Sequence, residues 1–280
     1  MKKVELSPGI HSSVLGFGCA PILGAVGARV AERAMATALD SGVNHFDIAR
    51  SYGYGEAEKF VGRFLKGRRD EIVLASKFGI RATWKAGLLR PLKPAIRALK
   101  EKRGGNAPKP SSPPSVQAPG RDHFHERIEI TPANMRSSLE KSLRALKTDY
   151  LDVFFVHEPP GEIEKIDDLA GMADELKKEG KIRSWGLAFD WSAREFLETA
   201  FPKFDLLQFN CSPGAKHYEE AQRERGAVSN VLFSPLRHSN AAQAGEVLRQ
   251  LWAEFPSSVV LCSMFNPKHI LENAAAANAS

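Results

Sequence analysis

The sequence predicts an α/β fold of eight strand-helix units around one parallel sheet, with a long insertion after the third strand. Three observations carry this expectation. Short β-rich runs alternate with helical patterns from Gly16 onward, the runs number eight, and residues 79 to 130 break an otherwise regular rhythm. A chain of 280 residues, 43% hydrophobic and 26% charged, can bury one sizeable core and suits a single barrel domain over 1–280.

The strand candidates are VLGFG (14–18), VNHFDIA (43–49), EIVLASK (71–77), DYLDVFFVH (149–157), KIRSWGLAF (181–189), FDLLQFN (204–210), VSNVLF (228–233) and SSVVLCS (257–263). Helices are expected over Arg29 to Ser41, Glu56 to Lys66, Asp167 to Lys178, Ser192 to Ala200, Ala215 to Arg225, Ala241 to Glu254 and Pro267 to Ala277. A further helix opens at Thr131, an N-cap residue before Pro132, and carries Met135, Leu139, Leu143 and Leu146 on one face. Glu140 and Arg144, four apart, are expected to pair on its exposed side. Eight such units close naturally into a (β/α)8 barrel. An open doubly wound sheet has the same alternation, so alternation alone does not separate the two.

The 79–130 segment is far longer than an ordinary βα loop. Its middle, APKPSSPPSVQAPG (107–120), is too rich in Pro and Ser to pack, while KPAIRALKEKRGG (93–105) suits a short basic helix ended by glycine. In a barrel the insertion hangs over the C-terminal face, either as a lid or as a passive surface loop. Between Arg81 and Arg127 there are eleven Lys or Arg against Glu101, Asp122 and Glu126, a surplus of eight, whereas the whole chain is only +6. The basicity is therefore local, and nucleic acid is not expected as a partner.

No apolar run approaches the roughly 18 residues needed to span a bilayer, and MKKVELSPG has no apolar stretch behind its lysines. A cytoplasmic location and no membrane association are expected; the sequence leaves the oligomeric state open, with a monomer the favoured reading. Cys19, Cys211 and Cys262 are odd in number and widely spaced, which suits free buried thiols better than disulfides or a metal site. His123, His125 and Glu126 lack a supporting ligand from a strand or helix, so no metal is expected. The glycines of GFGCAP (16–21) and GYGEAE (53–58) lack the third glycine of a dinucleotide-binding turn, and no GxSxG elbow is present.

Four residues have complementary chemistry at neighbouring strand ends. Asp47 and Lys77 fall at the C-terminal ends of strands two and three, Tyr52 follows strand two, and His157 ends strand four. Reducing a carbonyl requires hydride at carbon and a proton at oxygen. A tyrosine can give that proton if a nearby ammonium brings its pKa down from roughly 10. Lys77 is placed to do so, Asp47 to hold Lys77, and His157 to hydrogen-bond the carbonyl oxygen. Singly, the four read as a helix cap, a loop tyrosine, a strand-end charge and a core histidine; together they read as a site.

FDIARSYGYGEAEKFVG (46–62), LASKF (74–78) and LKTDYLDVFFVHEPP (146–160) resemble the aldo-keto reductase family in order and spacing. EGKIRSWGLA (179–188), LLQFN (206–210), LFSPL (232–236) and NPKHILENAAAA (266–277) extend the resemblance to nearly the whole chain outside the insertion. It implies a (β/α)8 TIM barrel with a long insertion after strand 3, an NADP-dependent oxidoreductase with a small-molecule carbonyl substrate, and a tetrad of Asp47, Tyr52, Lys77 and His157. It also implies NADPH with Gln208 on the carboxamide, Phe233 on the nicotinamide, Ser234 and Leu236 near the pyrophosphate, and Gly18, Cys19 and Asp47 at the reactive end. Ser263, Lys268, His269 and Asn273 then lie at the 2′-phosphate and adenine.

One departure stands out: the family usually carries Ser and Asn where this chain has Ala188 and Phe189. That loss motivates a second expectation, a nucleotide-binding regulatory or interaction protein with little turnover. A non-redox barrel enzyme is a third. Trp84 and Tyr54 are candidates for lining a substrate pocket.

Overall fold

In a computed structural model that describes residues 1–83, 124–239 and 243–279, the chain opens with an antiparallel hairpin, β1 (Lys3–Ser7) and β2 (Ile10–Ser13). The strand pattern does not announce it, because the two runs are short and partly polar. Next come β3 (Leu15–Gly18), β4 (His45–Asp47) and β5 (Val73–Phe78). A second hairpin, β6 (Ile80–Ala82) with β7 (His125–Arg127), ties the two ends of the insertion together. The remaining strands are β8 (Leu151–His157), β9 (Ile182–Phe189), β10 (Leu206–Asn210), β11 (Asn230–Phe233) and β12 (Val259–Cys262).

Outside the hairpins, eight strands form one closed parallel barrel. The pairing of β12 with β3, Val260 opposite Leu15 and Cys262 opposite Phe17, excludes the open doubly wound sheet. Inside lie Val73, Ala75, Val153, Phe155, Ala188, Leu206, Val231, Val259 and Leu261, and Leu6 and Ile10 of the first hairpin join this cluster. Gly186 makes the filling possible, since a Cβ there would lie 2.4 Å from the Leu206 carbonyl oxygen and 2.6 Å from the Phe155 ring.

Among the described residues the helices are α1 (Ala28–Asp40), α2 (Ala57–Phe64), α3 (Pro132–Leu146), α4 (Ile166–Lys178), α5 (Arg194–Leu197), α6 (Tyr218–Arg225), α7 (Ala244–Glu254) and α8 (Pro267–Asn278). Thr131 caps α3 by accepting from the Asn134 amide at 3.3 Å, and Met135, Leu139, Leu143 and Leu146 are its buried stripe. Two local expectations are corrected. The helix over 192–200 is broken, with α5 flanked by 3-10 turns at Trp191–Ala193 and Glu198–Lys203, the second containing Pro202. Glu140 pairs with Lys181 at 3.6 Å, because the neighbouring helix end offers a cation across the layer.

The expected helix over 93–105, the run 107–120, Trp84, His123 and residues 241 and 242 of the expected seventh helix lie outside the described residues. The three cysteines are free and buried. Among the described residues no helix is long and apolar enough to cross a membrane.

Candidate active site

Parallel strands place all their C-terminal ends on one rim, so residues distant in sequence converge there. Lys77, at the end of β5, donates to the Asp47 carboxylate at the end of β4 and to the Ile48 carbonyl at 3.0 Å. Gln208 of β10 donates from Nε2 to the other Asp47 oxygen at 2.8 Å. The side chains of the Lys77–Asp47 pair are 3% and 5% exposed, so the ion pair is desolvated and held by further hydrogen bonds.

Tyr52 starts a 3-10 turn, Tyr52–Gly55, in which Gly53 and Tyr54 are left-handed at φ 59 and 60. Gly53 is obligatory: a Cβ there would lie 2.7 Å from the Ile22 carbonyl oxygen. The turn sets the Tyr52 ring 5.2 Å from Lys77 Nζ and 6.2 Å, edge to face, from the His157 ring. Asp47, Tyr52, Lys77 and His157 thus occupy one site.

The electrostatics differ from the sequence expectation in one respect. The Tyr52 phenol is pushed well above its ordinary range, first by burial and then by Asp47, Glu158 and Cys19. Burial outweighs the nearby Lys77 ammonium, so the tyrosine is not brought down. Burial, with Lys77, Arg127 and His125 adding to it, holds His157 well below the usual imidazole range and hence neutral, and its Nδ1 is buried without a hydrogen-bond partner.

The foot of the insertion presses on this rim. His125 stacks on Tyr54 with ring centres 6.3 Å apart, its Nε2 lies 3.1 Å from the Ser51 carbonyl oxygen, and Phe124 meets Tyr54 edge to face at 5.7 Å. Glu126 is committed to Arg81 at 2.5 Å. Among the described residues no three His, Cys, Asp or Glu side chains converge as metal ligands.

A model described as the Aldo/keto reductase family matches residues 14–226. The chain belongs to that family. It is similar to the aldo-keto reductase YhdN of Bacillus subtilis, 28% identical over 242 residues, 81% of this chain and 60% of the relative. The aldo-keto reductase yakc [NADP(+)] of Schizosaccharomyces pombe is 28% identical over 236 residues, 79% of this chain and 57% of the relative. The chain thus spans about 60% or less of the length of these curated relatives. Among solved structures, a putative aldo-keto reductase from Pseudomonas aeruginosa superposes with a TM-score of 0.71 at 22% identity, covering 99% of this chain and 94% of that one, which shows the shared fold.

In this family member the remaining predicted residues lie at or follow the C-terminal ends of β3, β11 and β12. Gly18 ends β3, and a Cβ there would come 3.0 Å from Ser263 Oγ, which donates to the Gly18 carbonyl at 3.2 Å. Phe233 ends β11, followed by left-handed Ser234 (φ 56) and half-buried Leu236. Lys268 and His269 are exposed at the start of α8, where Lys268 approaches Glu272 at 3.8 Å. Two residues face inward. The Cys19 thiol is fully buried and directed at the Phe17 carbonyl, and Asn273 donates from Nδ2 to Met264 Sδ at 3.2 Å.

The departure at 188 and 189 is now explicable. Ala188 points into the barrel, in register with His157 on one side and Gln208 on the other. Phe189 faces the helix layer and packs against Trp191, Phe201 and Phe209 at 6.1, 5.2 and 6.1 Å, so it is a core residue. Sequence reasoning missed Glu158, half-buried beside His157, whose backbone carbonyl accepts from Arg127 of β7. Its place beside His157 was readable; its left-handed backbone (φ 44) was not.

Proposed function

We propose that this chain reduces an aldehyde or ketone to an alcohol with NADPH. The observation that carries the reading is the convergence of a protonated phenol, a paired lysine and a neutral imidazole on one rim. Membership of the family and the NADP(+) in the name of the fission-yeast relative support the cofactor. NADPH, when bound, supplies the hydride.

The protein's own residues fit that cofactor. The Gly18 cradle leaves room that a side chain would fill, Gln208 offers its amide oxygen, and Lys268 with His269 at the start of α8 suits a dianionic phosphate. Phe233, Ser234, Leu236 and Ser263 complete the cradle from β11 and β12. Any contribution of Cys19 comes from its backbone, and Asn273 acts by holding α8 against Met264.

In the reduction, Tyr52 gives its proton to the substrate oxygen as hydride reaches the carbon. A raised pKa keeps the phenol loaded, and Lys77 at 5.2 Å stabilises the phenolate as it forms. Asp47 fixes Lys77 in place. With Nδ1 enclosed, His157 presents Nε2 to the carbonyl oxygen and orients it.

Cofactor oxidation measured with NADPH and NADH against a carbonyl panel tests the reading, with turnover expected and NADPH preferred. Tyr52→Phe is expected to lower kcat by roughly 10²- to 10⁴-fold while retaining NADPH binding; wild-type rates in that variant would remove Tyr52 from its role. The second reading, a nucleotide-binding regulatory protein, is favoured by the apolar Ala188 between His157 and Gln208. It requires NADPH binding with no turnover of any panel member.

A further inference from the structure

The mouth holds a carboxylate, Glu158, that the reduction does not use and that no cation among the described residues pairs with. Glu158 follows His157 directly at the end of β8, and its left-handed backbone, φ 44, is one that a residue with a Cβ rarely adopts. The conformation is held from both sides. Its amide donates to the Ala188 carbonyl at 2.7 Å, and its carbonyl accepts from Arg127 Nη1. Strain fixed in this way, one residue from a reactive group, marks positions where the side chain's direction matters.

The side chain is half-buried, yet among the described residues no hydrogen bond or ion pair reaches its carboxylate. Neither nearby cation is free to serve: Lys77 is bound to Asp47, and Arg127 is bonded to the Glu158 carbonyl. Burial raises the pKa of Glu158, Arg127 and Lys77 lower it and Asp190 raises it; its charge in turn raises Tyr52, which puts the carboxylate within electrostatic reach of the site. The half-buried oxygens keep contact with solvent and no described protein group occupies them, so a ligand entering the mouth meets an available acceptor.

We propose that Glu158 is a specificity-determining residue. Its carboxylate accepts a hydrogen bond from a hydroxyl that the substrate carries near its carbonyl, and it repels carbonyl compounds bearing a carboxylate. The inference rests on the reductase reading above and names its substrate class: neutral, hydroxyl-bearing aldehydes and ketones. Asp47 cannot play this part, since both its oxygens are already paired.

The test compares kcat/KM for 3-(hydroxymethyl)-, 3-(methoxymethyl)- and 3-carboxybenzaldehyde, which share ring and reacting group. The wild-type protein is expected to favour the hydroxymethyl compound about threefold over the methoxymethyl and at least tenfold over the carboxylate. Glu158→Gln, which keeps the shape and removes the charge, is expected to shrink the second ratio at least fivefold, and Glu158→Asp to retain most of it. A ratio equal in wild type and Glu158→Gln, or a wild-type preference for the carboxylate, overturns the proposal. If none of the three is reduced by either protein, the reductase reading fails instead. Ligand-detected NMR titration with 3-(hydroxymethyl)benzyl alcohol and 3-(hydroxymethyl)benzoate then decides the role of Glu158, since equal relative binding by wild type and variant overturns it.

Discussion

Strand β8 carries a carboxylate at each end of the barrel, and the two are treated in opposite ways. At the floor, Asp152 is 1% exposed and accepts from Arg69 at 2.7 Å, Arg183 at 2.7 Å and the Leu74 amide at 2.9 Å. Arg69 also lies over the Tyr150 ring at 3.7 Å, and Arg183 reaches the Gly9 carbonyl at 2.6 Å, tying the first hairpin to β9. At the mouth, the Glu158 carboxylate has no hydrogen-bond or ion-pair partner among the described residues. Backbone strain follows the same division: of the six left-handed non-glycine residues described, Leu23, Tyr54, Glu158, Lys165 and Ser234 follow barrel strands, and only Lys147 lies on the floor side. At the floor the Asp152 carboxylate is fully partnered and holds the fold, while at the mouth the Glu158 carboxylate is left without a described protein partner on a strained backbone, where a ligand can meet it.

Breaking the floor is expected to have the largest effect. Asp152→Asn leaves two guanidinium groups facing a neutral amide and is expected to destabilise by about 3–5 kcal/mol, read from urea unfolding. Turnover per folded molecule should not change. A loss below about 1 kcal/mol would show that the floor network is dispensable.

The floor has one weak point. Burial lowers the pKa of His45 to about 4, and its Nε2 has no partner. Between about pH 6.5 and 4 the unfolded chain binds a proton there that the folded chain does not. Stability is therefore complete above about 6.5 and falls as pH drops toward 4, by up to about 3 kcal/mol. His157, lowered in the same direction, adds to this slope. In His45→Gln, denaturation curves across that window should lose most of the His45 share; an unchanged slope would assign it elsewhere.

At the mouth the same kind of change should have the opposite sign. Glu158→Gln removes an unpaired charge and is expected to stabilise by about 1 kcal/mol at pH 7. A comparable loss would mean that the carboxylate is as well partnered as Asp152. Ala188→Ser is expected to tighten NADPH binding by about 1 kcal/mol, the value of one hydrogen bond between His157 and Gln208, measured by fluorescence titration. An unchanged affinity would place the carboxamide contact elsewhere.

The sequence by itself determined the order of eight strands and their helices, because hydrophobic periodicity and the capping pair Thr131 with Pro132 act over a few residues. It also made the four residues of the site legible, since each sits at or just after a strand end that parallel topology carries to one rim. Tertiary structure decided what depends on groups far apart in the chain. The pairing of β12 with β3 chose the closed barrel, and Leu6 and Ile10 of a hairpin with no clear pattern joined the barrel's interior cluster. Packing turned Phe189 into a core residue and left Ala188 facing the site. The protonation of Tyr52 was decided in the same way. One ammonium nearby predicts a lowered phenol, but burial and the Asp47 and Glu158 charges outweigh it, and that balance exists only once the chain has closed.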